Sequence, residues 1–309
     1  MATGNVLWKT WTVDEPRPRA KNREGVQMFG PAGGAIWSAA SVDVKRGVVY
    51  AATGNGYADP VQPMTDAVIA FDQKTGAIRW SRQLTPNDNW TMGCQATNPD
   101  NPSCPAVLGP DFDFSATPIL AHACNRDLIV IPQKSGMTWA LDPDDKGRIV
   151  WESRFAAGSG LGGQWGGAAD GENFYTGVND FLTDAPGGMR ALRLTDGSPV
   201  WSAPPQPLLC GEKRQGCGPG QGAAVTAIPG AVFSGSHDGG LRAYSTRDGS
   251  VIWLFDANRE FDTVNGVKAN GASFDGPGPI VAGGMLFVNS GYGGLVGRPG
   301  NVLLAFALE

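Results

Sequence analysis

Four segments of the chain repeat one arrangement of apolar and polar positions. They are AFDQKTGAIRW (residues 70–80), ALDPDDKGRIVW (140–151), ALRLTDGSPVW (191–201) and AYSTRDGSVIW (243–253). Each begins with an apolar run, crosses a polar turn ending in glycine, and returns through a second run that stops at tryptophan. That is a β-hairpin pattern, with glycine where the turn needs positive φ. The glycine-to-tryptophan interval is the same in all four, which marks a structural repeat.

Between the hairpins lie two further strand-like runs per repeat. In the first repeat these are GAIWSAASVD and GVVYAATG, and in the fourth GAAVTAIP and GAVFSGS. Four short strands recurring every 50 to 70 residues or so, each set closing on tryptophan, predict the blades of an all-β propeller. No segment carries a 3.6-residue apolar period, so helices should be few. The chain opens with TGNVLW (3–8), the second half of the repeat, and closes with LLAFALE (303–309), its first half. Residues 3–11 are therefore expected to pair with 301–307, covering an edge that would otherwise be exposed. The reading is one propeller domain over residues 1–309 with about five blades.

The 45 glycines and 23 prolines follow no Gly-X-Y period, so they fit tight turns between short strands and exclude collagen. A net charge of −5 argues against nucleic acid as a partner. The one basic run, RPRAKNR (17–23), reads as a solvated loop. No stretch is apolar enough to span a bilayer, and MATGNVLWKT lacks the pattern of a secretory signal. Cys94 with Cys104 and Cys210 with Cys217 are close pairs among Gly, Pro and Asn, suited to disulfides in an oxidising compartment. Five free thiols is the other reading, and Cys124 is left over either way. The absence of CxxC and CxxCH argues against a zinc knuckle or covalent haem.

Candidate chemistry centres on LGPDFDFSATPIL (108–120), where Asp111 and Asp113 alternate with Phe112 and Phe114. In an extended strand the two carboxylates share a face, and they repel unless a cation, a shared proton or water intervenes. His122 and His237 fall in no catalytic pattern and read as surface or turn residues.

The Ala-x-Asp-x-x-x-Gly-x-x-x-Trp hairpins resemble the tryptophan-docking repeats of the pyrroloquinoline quinone (PQQ)-dependent alcohol dehydrogenases. The polyvinyl alcohol dehydrogenase branch matches best, through ATGNG, GPDFDFSATPIL, QKSGMTWALDPD, QWGGAADGENFY, TVNGVKANG and FVNSGYGG in order. The resemblance implies an eight-bladed periplasmic or secreted enzyme that oxidises alcohols and passes electrons to a cytochrome c. This chain would hold its C-terminal blades. Trp37 matches the indole on which the quinone lies, where a flat cofactor gains burial and stacking. Asn55 matches a calcium ligand, although Asn between two glycines is also an ordinary turn residue. Asp113 matches the catalytic base and calcium neighbour, with Asp111 as the group that orients it; the competing reading is an Asx-type turn. Lys134 matches the residue that contacts the quinone oxygens. Gln164 and Trp165 match a later amide–aromatic pair more loosely, and Asn265 and Tyr292 face the site by analogy alone.

Two features depart from that family. Its acidic calcium ligand belongs to blades upstream of residue 1, and no two cysteines are adjacent where some relatives carry a vicinal pair. The alternatives to a PQQ- and calcium-dependent enzyme are a non-catalytic scaffold built from the same repeats, or a shortened chain without activity.

Overall fold

The structure is a computed structural model that describes residues 3–94, 103–159, 165–211, 215–292 and 296–308. It is all-β: the described residues contain no helix, and hence none long and apolar enough to cross a membrane.

Four antiparallel four-stranded sheets follow one another along the chain. Blade 1 is Ser41–Asp43, Val48–Ala52, Ala67–Asp72 and Ile78–Gln83. Blade 2 is Ile119–Ala123, Arg126–Pro132, Met137–Asp142 and Arg148–Arg154. Blade 3 is Ala168–Ala169, Asn173–Gly177, Met189–Arg193 and Pro199–Ala203. Blade 4 is Thr226–Ile228, Ala231–Gly235, Gly240–Ser245 and Val251–Asp256. Blade 5 has three strands, Ile280–Ala282, Met285–Ser290 and Val302–Ala307. The first strands of blades 1 to 4 touch in succession, so they line the inner side of the arc.

The repeated hairpins hold one register. Ala70 faces Trp80, Ala140 Trp151, Ala191 Trp201 and Ala243 Trp253, each followed by a β-bulge at the next residue. Beyond the bulge, Trp80, Trp151 and Trp201 each lie on the glycine of the following hairpin. A methyl group added to Gly76 would meet Trp8 at 2.4 Å, and one on Gly147, Gly197 or Gly249 would meet Trp80, Trp151 or Trp201 at 2.5 Å. Only glycine fits there, both for that contact and for its positive φ. The indole N–H of Trp151 donates to Leu194 O and that of Trp201 to Thr246 O, each at 2.8 Å. The apolar cores lie between blades. Tyr50 and Val68 of blade 1 pack with Ile129 and Ile131 of blade 2, whose Leu128 and Val130 pack with Phe174 and Leu192 of blade 3.

Three expectations are corrected. Residues 3–11 form no strand and do not pair with residues 301–307, whose strand Val302–Ala307 pairs only with Met285–Ser290. The N-terminal segment is held at blade 1 instead: Trp8 Nε1 donates to Gln73 O at 3.1 Å and Thr10 Oγ1 to Gly76 O at 2.7 Å. The run 17–23 is not a loop, because Arg17–Lys21 pairs with Gln27–Gly30 in an exposed ribbon turned by Asn22. GAIWSAASVD contributes only Ser41–Asp43 to a strand; its small residues have little to pack, and the Ser38 hydroxyl bonds to Ala116 O. His237 occupies a turn but is buried, whereas His122 is exposed and bonded to Asp127 at 2.7 Å. Cys94 and Cys104 are joined, as are Cys210 and Cys217, and Cys124 is free.

Candidate active site

In an antiparallel four-stranded blade, the chain enters the first strand and leaves the second at the same end of the sheet. Loops at these two places therefore gather on one face of the arc. Trp37 precedes the first strand of blade 1, and Asn55 follows its second strand. Asp111 and Asp113 precede blade 2, Lys134 follows its second strand, and Trp165 precedes blade 3. Six residues chosen from the sequence thus come together.

Lys134 is the centre of the group. Its ammonium lies 3.1 Å from Asp111 Oδ1 and 2.7 Å from Asp113 Oδ1, with all three side chains buried. The two aspartates do not share a strand face: Asp111 has φ +62°, which kinks the chain so that both carboxylates meet one lysine. Asp88, which was not singled out from the sequence, makes the kink possible by accepting the backbone N–H of Asp111 (3.0 Å) and of Phe112 (2.5 Å). The Asn55 backbone N–H and the Trp37 indole N–H donate to Asp113. Gly54 permits this approach, since a methyl there would lie 3.1 Å from Asp113 Oδ2 and 3.4 Å from Trp37 Nε1.

Burial pushes both carboxyls up from their ordinary range. Asp113 is opposed by the charge of Lys134 and by the two N–H donors. Asp111 has Lys134 against it but Asp113 adding to the rise, and it reaches about 7. For Lys134 burial acts downward, yet the two carboxylates outweigh it and hold the amine above its usual value. The pair is therefore a proton-accepting group kept beside a permanent cation. Asp66, also overlooked in the sequence, lies nearby with both carboxyl oxygens buried and without a hydrogen-bond partner, and burial drives it up to about 9.

The aromatic wall is built by Trp37 and Trp165, edge to face with ring centroids 5.2 Å apart. Trp37 is 40% exposed, and the Lys134 ammonium sits 5.2 Å from its ring centroid. Trp165 Nε1 donates to Asp275 Oδ1 at 3.2 Å, and the buried His237 Nε2 lies 3.6 Å from the same oxygen. Neither Asp275 nor His237 carried a spacing signal, because they meet only after blades 4 and 5 fold beside blade 3. Asn265 is not part of the group: it sits at an exposed hairpin tip, where its Oδ1 accepts from Thr263 Oγ1 and Val267 N. Tyr292 is exposed in the loop after Met285–Ser290. Gln164 lies outside the described residues.

A flat quinone suits an open indole face beside an ammonium. For calcium the donor types suit a hard cation: Asn55 donates through Nδ2 to Gly56 O and Trp90 O, which leaves Oδ1, and Asp111 Oδ2 is buried with no hydrogen-bond partner. They make only part of a coordination shell. Among the described residues no group of three or more His, Cys, Asp or Glu side chains is arranged to hold a metal.

Residues 1–154 match the family described as the β-propeller domain of glucose, ethanol and alcohol dehydrogenases (PQQ). Residues 185–306 match that of the outer membrane protein assembly factor BamB. The polyvinylalcohol dehydrogenase of a Pseudomonas species is 46% identical over 322 residues, covering 99% of this chain and 50% of that one. The enzyme of the same name from Sphingopyxis sp. (strain 113P3) is 41% identical over 326 residues, covering 100% and 50%. The chain thus spans about half the length of the curated relatives it matches. Among solved structures, the quinohemoprotein alcohol dehydrogenase from Comamonas testosteroni superposes with a TM-score of 0.57 at 17% identity, over 89% of this chain and 48% of that one. That likeness concerns the fold alone.

Proposed function

The chain belongs to the PQQ-type quinoprotein alcohol dehydrogenase family, and from that premise we propose that it carries the base and cofactor wall of an alcohol dehydrogenase of the polyvinyl alcohol type. The observation behind this reading is the buried Lys134–Asp111–Asp113 cluster under the open face of Trp37. All four residues, and Asn55, fall in the half that matches the dehydrogenase propeller. A scaffold propeller gains nothing from burying two carboxylates with one lysine beside an exposed indole. The BamB match over the other half is accounted for by the shared repeat.

PQQ, when bound, would supply a two-electron acceptor for hydride from the alcohol carbon. Trp37 would carry the quinone on its exposed face, with Trp165 closing one side. Lys134 would stabilise negative charge on the quinone oxygens, a role for which its raised pKa keeps it protonated. Asn55 and Asp113 would supply oxygen donors to calcium, and the unpartnered Oδ2 of Asp111 would support the ion beside them. Asp113 would take the hydroxyl proton of a primary or secondary alcohol. Its raised pKa brings it nearer the neutral range where a general base works best. Asp111 would hold Lys134 in place. Electrons would leave to a cytochrome c, and the two disulfides suit a periplasmic or secreted setting.

The test compares Asp113→Asn with Asp111→Asn in PQQ- and calcium-supplemented dye-reduction assays, with quinone binding followed by absorbance. Asp113→Asn should lose about 10² to 10⁴ in rate while still binding quinone. Asp111→Asn should lose less and recover in part with excess calcium. Equal losses, neither rescued by calcium, would contradict the assigned roles.

A further inference from the structure

The two indoles of the proposed cofactor wall are tethered in the same way. The Trp37 N–H donates to the buried Asp113, and the Trp165 N–H donates to Oδ1 of the buried Asp275 at 3.2 Å. Asp113 has a place in the proposed reaction, but Asp275 has none. It lies 110 residues from Trp165 along the chain, in the loop that enters blade 5. A stack of three loops brings the two together.

The loop entering blade 3 is bonded to the loop entering blade 4, by Trp165 N to Gly222 O at 3.0 Å and by Val225 N to Gly166 O at 3.2 Å. The loop entering blade 5 is bonded to that same stretch, since Ala224 N donates to Gly276 O at 3.1 Å. The approach is tight: a methyl added to Gly278 would lie 2.2 Å from Ala224 O. Within this stack Asp275 is fixed by its neighbours. Phe274 is buried, and its N–H donates to Ser236 O at 3.0 Å. The Gly276 N–H donates to Asp275 Oδ1 at 2.9 Å, and His237 Nε2 stands 3.6 Å from that oxygen. His237 is clamped in turn, its N–H by Gly220 O at 2.9 Å and its carbonyl by Ser273 Oγ at 2.5 Å. The carboxyl thus has a set place. The N–H is the one polar atom of an indole, so this single bond selects how the Trp165 ring is turned. The selected orientation meets Trp37 at 77°, with ring centroids 5.2 Å apart.

We propose that Asp275 is a positioning residue for the cofactor wall. Its carboxyl holds the Trp165 indole nearly at a right angle to Trp37, so the corner between the rings has its shape before a quinone arrives. A corner set in advance spares the ligand the cost of ordering that ring on binding. The inference rests on the reading that Trp37 and Trp165 receive PQQ, but the anchor itself is a property of the chain alone. It makes a wall built from blades 1 and 3 depend on the entry to blade 5.

Two readouts test this, the first without cofactor. In protein carrying isotope-labelled tryptophan, the Trp165 indole N–H signal is the one that Trp165→Phe removes. Its exchange with solvent should be about tenfold or more faster in Asp275→Leu than in the parent. It should stay slow in Asp275→Asn, whose amide oxygen can still accept. The second readout is a PQQ titration with calcium, followed by quinone absorbance. Asp275→Leu should weaken binding about tenfold or more, and Asp275→Asn should stay close to the parent. In the Trp165→Phe background Asp275→Leu should weaken it no further. Equal weakening in both backgrounds overturns the proposal, because Asp275 would then act through the fold at large. So does a parent Trp165 N–H that exchanges as fast as that of the 71% exposed Trp11, a comparison that needs no Asp275 variant to fold. A parent that binds no PQQ would end the cofactor reading, and the exchange readout alone would then judge the anchor.

Discussion

Lys134 resolves the electrostatic problem that Asp111 and Asp113 pose, by standing between two carboxylates that would otherwise repel. The pattern of residues 108–120 required a cation, a shared proton or water beside the pair, and the structure supplies a cation from the chain itself. Asp113, Lys134 and Trp37 were legible because the family motif carries them. Asp66 and Asp88 were not, since TDA and NDN are ordinary loop sequences whose burial depends on neighbouring loops. Asp66 offers a pH test. Its folded pKa is pushed up to about 9, chiefly by burial and further by Asp88, from an ordinary 3.8. Between those values the folded chain holds a proton that the unfolded chain has lost, so this group makes stability fall as pH rises from about 4 to 9. Asp66→Asn should match the parent near pH 4 and become the more stable of the two towards pH 9, by at most about 1.4 kcal/mol per pH unit. Urea melts at three pH values measure this, and an unchanged slope would remove Asp66 as its source.

At the scale of the hairpin, the contact between glycine and tryptophan does two things at once. It sets the backbone of the turn and seals the seam between blades. The two effects can be separated. Gly230 has φ +87° with nothing within 4 Å, so Gly230→Ala should cost only the backbone strain, about 1 kcal/mol. Gly197→Ala adds a methyl 2.5 Å from Trp151 and should cost about 2 to 4 kcal/mol in denaturant melts. Equal costs would mean that the indole contact contributes nothing. The hairpins were readable because alternation, turn glycine and tryptophan all lie within a dozen residues. The inner strands were overextended in the reading, since Ala, Ser and Gly runs give no side-chain signal for where pairing stops.

For the whole molecule, the arc brings the first-strand entries and second-strand exits of neighbouring blades to one face, and the candidate site is assembled there from blades 1 to 3. The repeat predicted that such a face exists. It could not predict that residues 3–11 stay on blade 1, because the choice between closing and docking depends on the reach of the arc. Nor could it place Asp275 and His237 behind Trp165, a contact made across three blades. The measurement closest to the central claim is a PQQ titration of this chain with and without calcium, read by quinone absorbance and tryptophan quenching. Saturable, calcium-strengthened binding that weakens about tenfold or more in Trp37→Ala and in Lys134→Met is the predicted result. No binding, or binding unaffected by both substitutions, would contradict the account.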